Sequence, residues 1–134
     1  MNVIVCLDDN KGMLFNNRRQ SRDKVVTEDI MKSLDGENLF ILPFSEKLFE
    51  GLDNVCCVEE SAFYDSSQYD TFFVENIALS EIDNIESIIV YNWNRVYPAD
   101  FYCDIDFEGF SLKQESELKG NSHEKITKQI FVKR

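Results

Sequence analysis

Five of the chain's 14 basic side chains, Lys11, Arg18, Arg19, Arg22 and Lys24, crowd into one short stretch of a sequence that otherwise carries an excess of acid. Guanidinium groups on one loop fork onto phosphate or carboxylate oxygens, and Asn16 and Asn17 add donors, so the ligand such a stretch would hold is a small anion. A solvated loop that pairs with the protein's own carboxylates explains the same residues, and both readings stand at this point. Asp23 lies inside the cluster. In a partly apolar pocket its carboxylate can hold a cationic or amidine-like ring or pass a proton; equally, it is an ordinary acid in the first turn of a helix. Trp93, followed by Asn94 and Arg95, falls at the carboxyl end of a strand-like segment, where open α/β sheets place ligands, and the same ring also reads as core or as a partner contact.

Other chemistries are narrowed by what residue types are present. His123 is the single histidine, so a hydrolytic metal centre built on several histidines is excluded and no metal site is expected. Cys6, Cys56, Cys57 and Cys103 sit in apolar stretches without CxxC spacing and read as buried free thiols. Asp100, Asp104, Asp106 and Glu108 lack the glycine and terminal glutamate of a calcium loop and read as an acidic turn. A formal net charge of -11 argues against general affinity for DNA, RNA or anionic lipid, since such binding depends on Lys and Arg neutralising phosphates. No apolar run is long enough to span a bilayer, and Met1 leads into a strand-like segment instead of a signal peptide, so a cytoplasmic protein is expected.

The elements that must position these residues follow from patterning. Val3 to Leu7 is a continuous apolar run ended by turn chemistry at Asp8 to Gly12, the pattern of a buried central strand. Val26, Ile30 and Leu34, with Val25 and Met31 beside them, repeat at helical spacing; Ser21 is expected to cap this helix and Asp35-Gly36 to close it. Further strands are expected at Leu39–Leu42, Val55–Val58, Asp70–Val74 and Ser87–Trp93, with short helices at Ser45–Leu52 and Ser80–Ile85 and a loop with one helical turn between Glu59 and Tyr69. Phe110–Leu112 and the alternating Ile126–Val132 form a C-terminal hairpin. The expectation is one α/β domain over residues 1–134.

That order of elements, together with several local strings, resembles dihydrofolate reductase. The stretch from Val3 to Met13, through Asp8-Asp9-Asn10-Lys11-Gly12, is similar to the family's first strand and the start of its mobile active-site loop. Asp23, eleven residues beyond Gly12, stands at about the spacing of the family's acidic residue that contacts the pterin ring. Pro98-Ala99-Asp100-Phe101-Tyr102-Cys103-Asp104-Ile105-Asp106 is similar to a Gly-Asp-x-x-Phe-Pro-x-Ile/Tyr segment, and Asn121-Ser122-His123 with Ile130 to Arg134 looks like the last hairpin. The resemblance covers both ends of the chain and implies a three-layer sandwich, with a mostly parallel central sheet and a C-terminal antiparallel hairpin. It also implies NADPH as cofactor, with Asp23 orienting or protonating a pterin-like substrate while the cofactor supplies hydride.

The departures from that family bear on activity. Where a glycine pair lets backbone approach the cofactor diphosphate, the chain has Glu75-Asn76, a side chain of the wrong charge. Pro43-Phe44-Ser45-Glu46 replaces a Gly-Arg-x-Thr string, and Asn17-Arg18-Arg19-Gln20 replaces a Leu-Pro-Trp string. Ser45, Glu75 and Asn76 are therefore degenerate cofactor positions, and normal NADPH-dependent reduction is not expected. The expectation is a small anionic, pterin-like or nucleotide-like ligand near Asp23, Asn17, Arg18, Arg19, Arg22 and Trp93. The alternative from another class is a non-catalytic interaction domain docking an acidic partner through Arg18, Arg19 and Arg22. A nuclease is disfavoured by the single histidine and the negative charge.

Overall fold

The computed structural model describes residues 1–134. In chain order its elements are β1 (Asn2–Leu7), β2 (Gly12–Phe15), β3 (Arg18–Arg19), α1 (Lys24–Leu34), β4 (Leu39–Ile41), β5 (Val55–Cys57), β6 (Thr71–Phe73), β7 (Ser87–Asn92), β8 (Phe101–Tyr102), β9 (Phe110–Leu118) and β10 (Ile126–Lys133). Short 3-10 turns join them at Pro43–Phe49, Glu60–Asp65, Leu79–Glu81 and Phe107–Gly109.

The unbroken apolar run of β1 is explained by its place. It lies between β6 and β7, parallel to both, and buries Val3, Val5 and Leu7 on one face and Ile4 on the other. β4 and β5 extend the parallel part, and β10 returns antiparallel to β7 with β9 at its outer side. The result is an α/β architecture around a mostly parallel seven-stranded sheet of order β5-β4-β6-β1-β7-β10-β9. One face carries α1 and the Pro43–Phe49 turn, whose Val26, Ile30 and Phe49 pack on Ile4, Phe73 and Tyr91. Tyr91 Oη and Lys128 Nζ both donate to Asp29 on α1, at 2.6 and 2.8 Å, pinning the helix to the sheet. The other face is covered by Met13, Leu14, Phe63 and Leu79 over Val3, Val5, Phe72 and Val90.

Several expectations need correction. The covering layer on that second face includes a separate three-stranded sheet of β3, β2 and β8, where the patterning predicts no strands. Asn16 and Asn17 both take left-handed φ values, 51° and 57°, between the paired residues Phe15 and Arg18, which makes a two-residue hairpin turn. The short helices expected at Ser45–Leu52 and Ser80–Ile85 are 3-10 turns at Pro43–Phe49 and Leu79–Glu81, segments too short to carry an apolar stripe over several turns. The cap of α1 is Asp23, in extended conformation with its side chain accepting from Val25 N–H, so Ser21 stands outside the helix. Cys103 is buried, but Cys57 is exposed because β5 is the edge of the sheet. No helix is long and apolar enough to cross a membrane.

Ile30 is 1% exposed and ties α1 to the sheet, so Ile30→Ala should cost about 3 kcal/mol in urea unfolding. A loss below about 1 kcal/mol would show that the helix does not share this core.

Candidate functional site

Asp23 enters the site from the start of α1, and the loop joining β9 to β10 folds over it. Its Oδ1 accepts from the backbone N–H of Val25 and of Asn121, both at 2.9 Å. Its Oδ2 accepts from the N–H of Ser122 at 2.8 Å, from Ser122 Oγ at 3.2 Å and from His123 Nδ1 at 3.0 Å. Gly120 makes this approach possible, since a Cβ there would stand 2.6 Å from Asp23 Oδ2 and 2.5 Å from the His123 carbonyl. Burial works to raise the carboxyl pKa, but the hydrogen bonds from Asn121, His123, Ser122 and Val25 outweigh it and hold the group well below the usual carboxylate range. Asp23 is therefore a committed anion and not a carboxyl protonated near neutral pH.

His123 continues the chain of contacts. With Nδ1 against the ionised Asp23, the far nitrogen Nε2 lies 3.1 Å from Ser21 Oγ and 3.0 Å from Tyr97 Oη. The imidazole is 3% exposed and stacks on Trp93, ring centroids 4.6 Å apart and 24° from parallel. Trp93 is thus a core residue that supports the histidine.

A second buried carboxylate lies beyond the end of β6. Glu75 receives a two-pronged contact from Arg19, Nε at 2.5 Å and Nη2 at 2.7 Å, and a third hydrogen bond from Ser45 Oγ at 2.7 Å. Between this pair and Asp23 remains a cavity of about 20 Å³, bordered by Cys6, Phe73 and Trp93. That is room for about one water molecule, far from the roughly 300–1,000 Å³ of small-molecule sites. The Cys6 thiol on its wall is pushed up in pKa by burial and by Glu75, which leaves it a poor nucleophile.

The open space lies outside. On one side of β3 a cleft of about 550 Å³ is walled by Arg18, Arg22, Lys47 and Phe44, with Ser21 and Glu46 also at its surface. On the other side a second cleft of about 550 Å³ is bordered by Phe15, Gln20, Tyr97 and Pro98 together with Arg18. The basic cluster read from the sequence therefore separates. Arg19 turns inward to Glu75, Lys24 pairs with Glu28 on its own helix, and Lys11 lies over the Phe107 ring. Arg18 and Arg22 share the first cleft and enter none of the chain's ion pairs. Lys47, which the sequence did not single out, joins them from the 3-10 turn. Asn17 forms the β2–β3 turn and borders neither cleft, and Asn76 is exposed beyond Glu75.

Sequence reading missed His123, Ser21 and Tyr97 as a group. They are separated by as many as 102 positions, and only the fold joins them. No protein-family model matches the chain, and no curated protein matches it.

Two outcomes follow. Because the folded-state pKa of Asp23 is lowered, its contribution to stability is full above about pH 4, the unfolded range, and is lost as pH falls below that toward the folded value. Asp23→Asn should lower stability at pH 7 and flatten the acid-side decline; an unchanged acid limb in unfolding curves would contradict this. Arg19→Met alone leaves a buried carboxylate uncompensated and should cost about 3 kcal/mol, whereas Arg19→Met with Glu75→Leu should recover most of it. Equal losses for the single and double variants in urea would contradict the pairing.

Proposed function

We propose that the chain is a dihydrofolate-reductase-like domain that binds a small anionic, nucleotide-like ligand in the cleft of Arg18, Arg22 and Lys47 and does not perform nicotinamide-dependent reduction. The family resemblance is supported by the sheet order, in which five parallel strands are followed by the antiparallel β10 and then β9, and by an acidic residue at the start of the first helix. Catalysis of the reductase type is disfavoured by what stands at the positions the resemblance assigns to substrate and cofactor. Asp23 has its lone pairs engaged by protein donors; the inner cavity beside it, of about 20 Å³, holds no ring, and the open cleft of about 290 Å³ that it also borders is lined by the polar Arg22, Lys24, Asn121 and Ser122. Glu75 accepts from both Ser45 and Arg19, so the residues do not fit the diphosphate of NADPH, which would meet a buried carboxylate in place of bare backbone.

One observation carries the ligand class. In a chain with 25 acidic residues, Arg18, Arg22 and Lys47 make no side-chain ion pair, although they share one concave surface. Cations grouped in this way repel one another, and a multivalent anion relieves that repulsion while filling their donors. Phe44, half-buried on the same wall, offers a ring face on which a planar group can lie. Glu46 at the rim sets a limit, since it disfavours an anion that extends past it.

Pyrophosphate should raise the melting temperature of the chain in low salt, and Arg18→Glu with Arg22→Glu should weaken its binding by about 10-fold or more while leaving the melting temperature without ligand nearly unchanged. Fluorescence of Trp93, the single tryptophan, follows binding of NADPH and dihydrofolate in parallel. Saturable binding of both with turnover of NADPH would overturn the proposal.

A further inference from the structure

We infer that Ser21, His123 and Asp23 form a nucleophile, base and orienting acid that hydrolyse small esters carrying a carboxylate or phosphate group, bound at the Arg18–Arg22 cleft. This rests on the anion-binding reading of that cleft for its substrate class, and on the geometry of the three side chains for its chemistry.

The contacts have the order such a relay requires. Asp23 Oδ2 lies 3.0 Å from His123 Nδ1, and both side chains are almost wholly buried. His123 Nε2 lies 3.1 Å from Ser21 Oγ. An ionised Asp23 fixes the tautomer with Nε2 free to accept, and it stabilises the imidazolium once the ring takes a proton. The backbone N–H groups of Val25, Asn121 and Ser122 hold that carboxylate in place, so Asp23 serves as a positioning residue. Trp93, stacked on the imidazole, holds the plane of the ring. Ser21 is half-buried and reaches the surface of the cleft, so a solute held by Arg18 and Arg22 sits next to its hydroxyl. Tyr97 Oη already lies 3.0 Å from the far nitrogen, so the solvent-reachable hydroxyl of Ser21 is not needed merely to satisfy it.

The reaction balances with water as its only co-reactant. Ser21 Oγ bonds to the ester carbonyl carbon while His123 Nε2 takes the hydroxyl proton, and the carbonyl electron pair moves onto oxygen. The tetrahedral adduct collapses with loss of the alcohol, which leaves with the proton from Nε2. Water then attacks the acyl-Ser21 carbonyl and gives a proton to Nε2; Ser21 Oγ departs and takes that proton back, releasing the acid. Tyr97 Oη, 3.0 Å from Nε2 and 3.4 Å from Ser21 Oγ, competes for the same lone pair or donates to the serine.

The full chain is incubated with p-nitrophenyl acetate, with p-nitrophenyl hemisuccinate as its anionic counterpart, and with a fluorophosphonate probe whose adduct is located by peptide mass spectrometry. The expected result is one probe adduct on Ser21, hemisuccinate turned over at least about 10-fold faster than acetate, and a loss of at least about 100-fold in Ser21→Ala. Ser21→Ala should melt within a few degrees of wild type, and Tyr97→Phe should retain labelling. An adduct at any other residue, or no adduct with the chain folded, overturns the relay. Pyrophosphate binding without Ser21 labelling would sink this inference alone, whereas Ser21 labelling with no pyrophosphate binding and no preference for hemisuccinate would sink its substrate class together with the cleft reading.

Discussion

A carboxylate removed from water must be given donors by the protein, and Asp23 receives five: three backbone N–H groups, the Ser122 hydroxyl and the His123 ring. The rest of the site is arranged around that requirement. The donors come from opposite ends of the chain, so satisfying Asp23 caps α1, closes the β9–β10 loop against it and sets the tautomer of the buried histidine in one step. Gly120 is where the backbone comes closest, and any side chain there would force the loop away. The consequence for function is that the acid which a reductase reading would offer to a ligand is already engaged by its own chain.

The Arg19–Glu75 pair applies the same constraint to another buried anion. Glu75 is 6% exposed, and its charge is tolerable only because Arg19 and Ser45 meet it with three directed hydrogen bonds. Arg19 can reach it because the Asn16-Asn17 turn brings β3 back along β2. The two anchored anions leave little space between them, and the remaining free cations are left on the outer surface. Two adjacent arginines thus have different fates, Arg19 inward and Arg18 toward the clefts, as the alternation of a strand dictates.

Local patterning made much of the sheet legible. The apolar run of β1, the helical stripe of Val26, Ile30 and Leu34, and the alternation of β10 each carry their own period, and the structure has those elements there. Two asparagines in succession were a readable sign of the β2–β3 turn that the loop reading overlooked. The 3-10 turns were harder, since a single turn has no stripe to distinguish it from a longer helix. The site was the least legible part. Arg19 and Glu75 are 56 positions apart and Asp23 and His123 are 100 apart, so no spacing rule relates them. Charge clustering draws attention to residues 18–22, but charge alone does not distinguish an arginine that neutralises a buried acid from one left free.

Asp23 is held by the protein's own donors, and the proposed ligand surface lies outside it. Amide resonances of Asn121 and Ser122, whose N–H groups bind that carboxylate, report on it residue by residue in a 1H–15N correlation spectrum. With pyrophosphate, shifts should concentrate at residues 18–22 and 43–47 while Asn121 and Ser122 stay in place. Large displacement of those two amides by saturating dihydrofolate would mean that the carboxylate transfers to a ligand, contradicting the account.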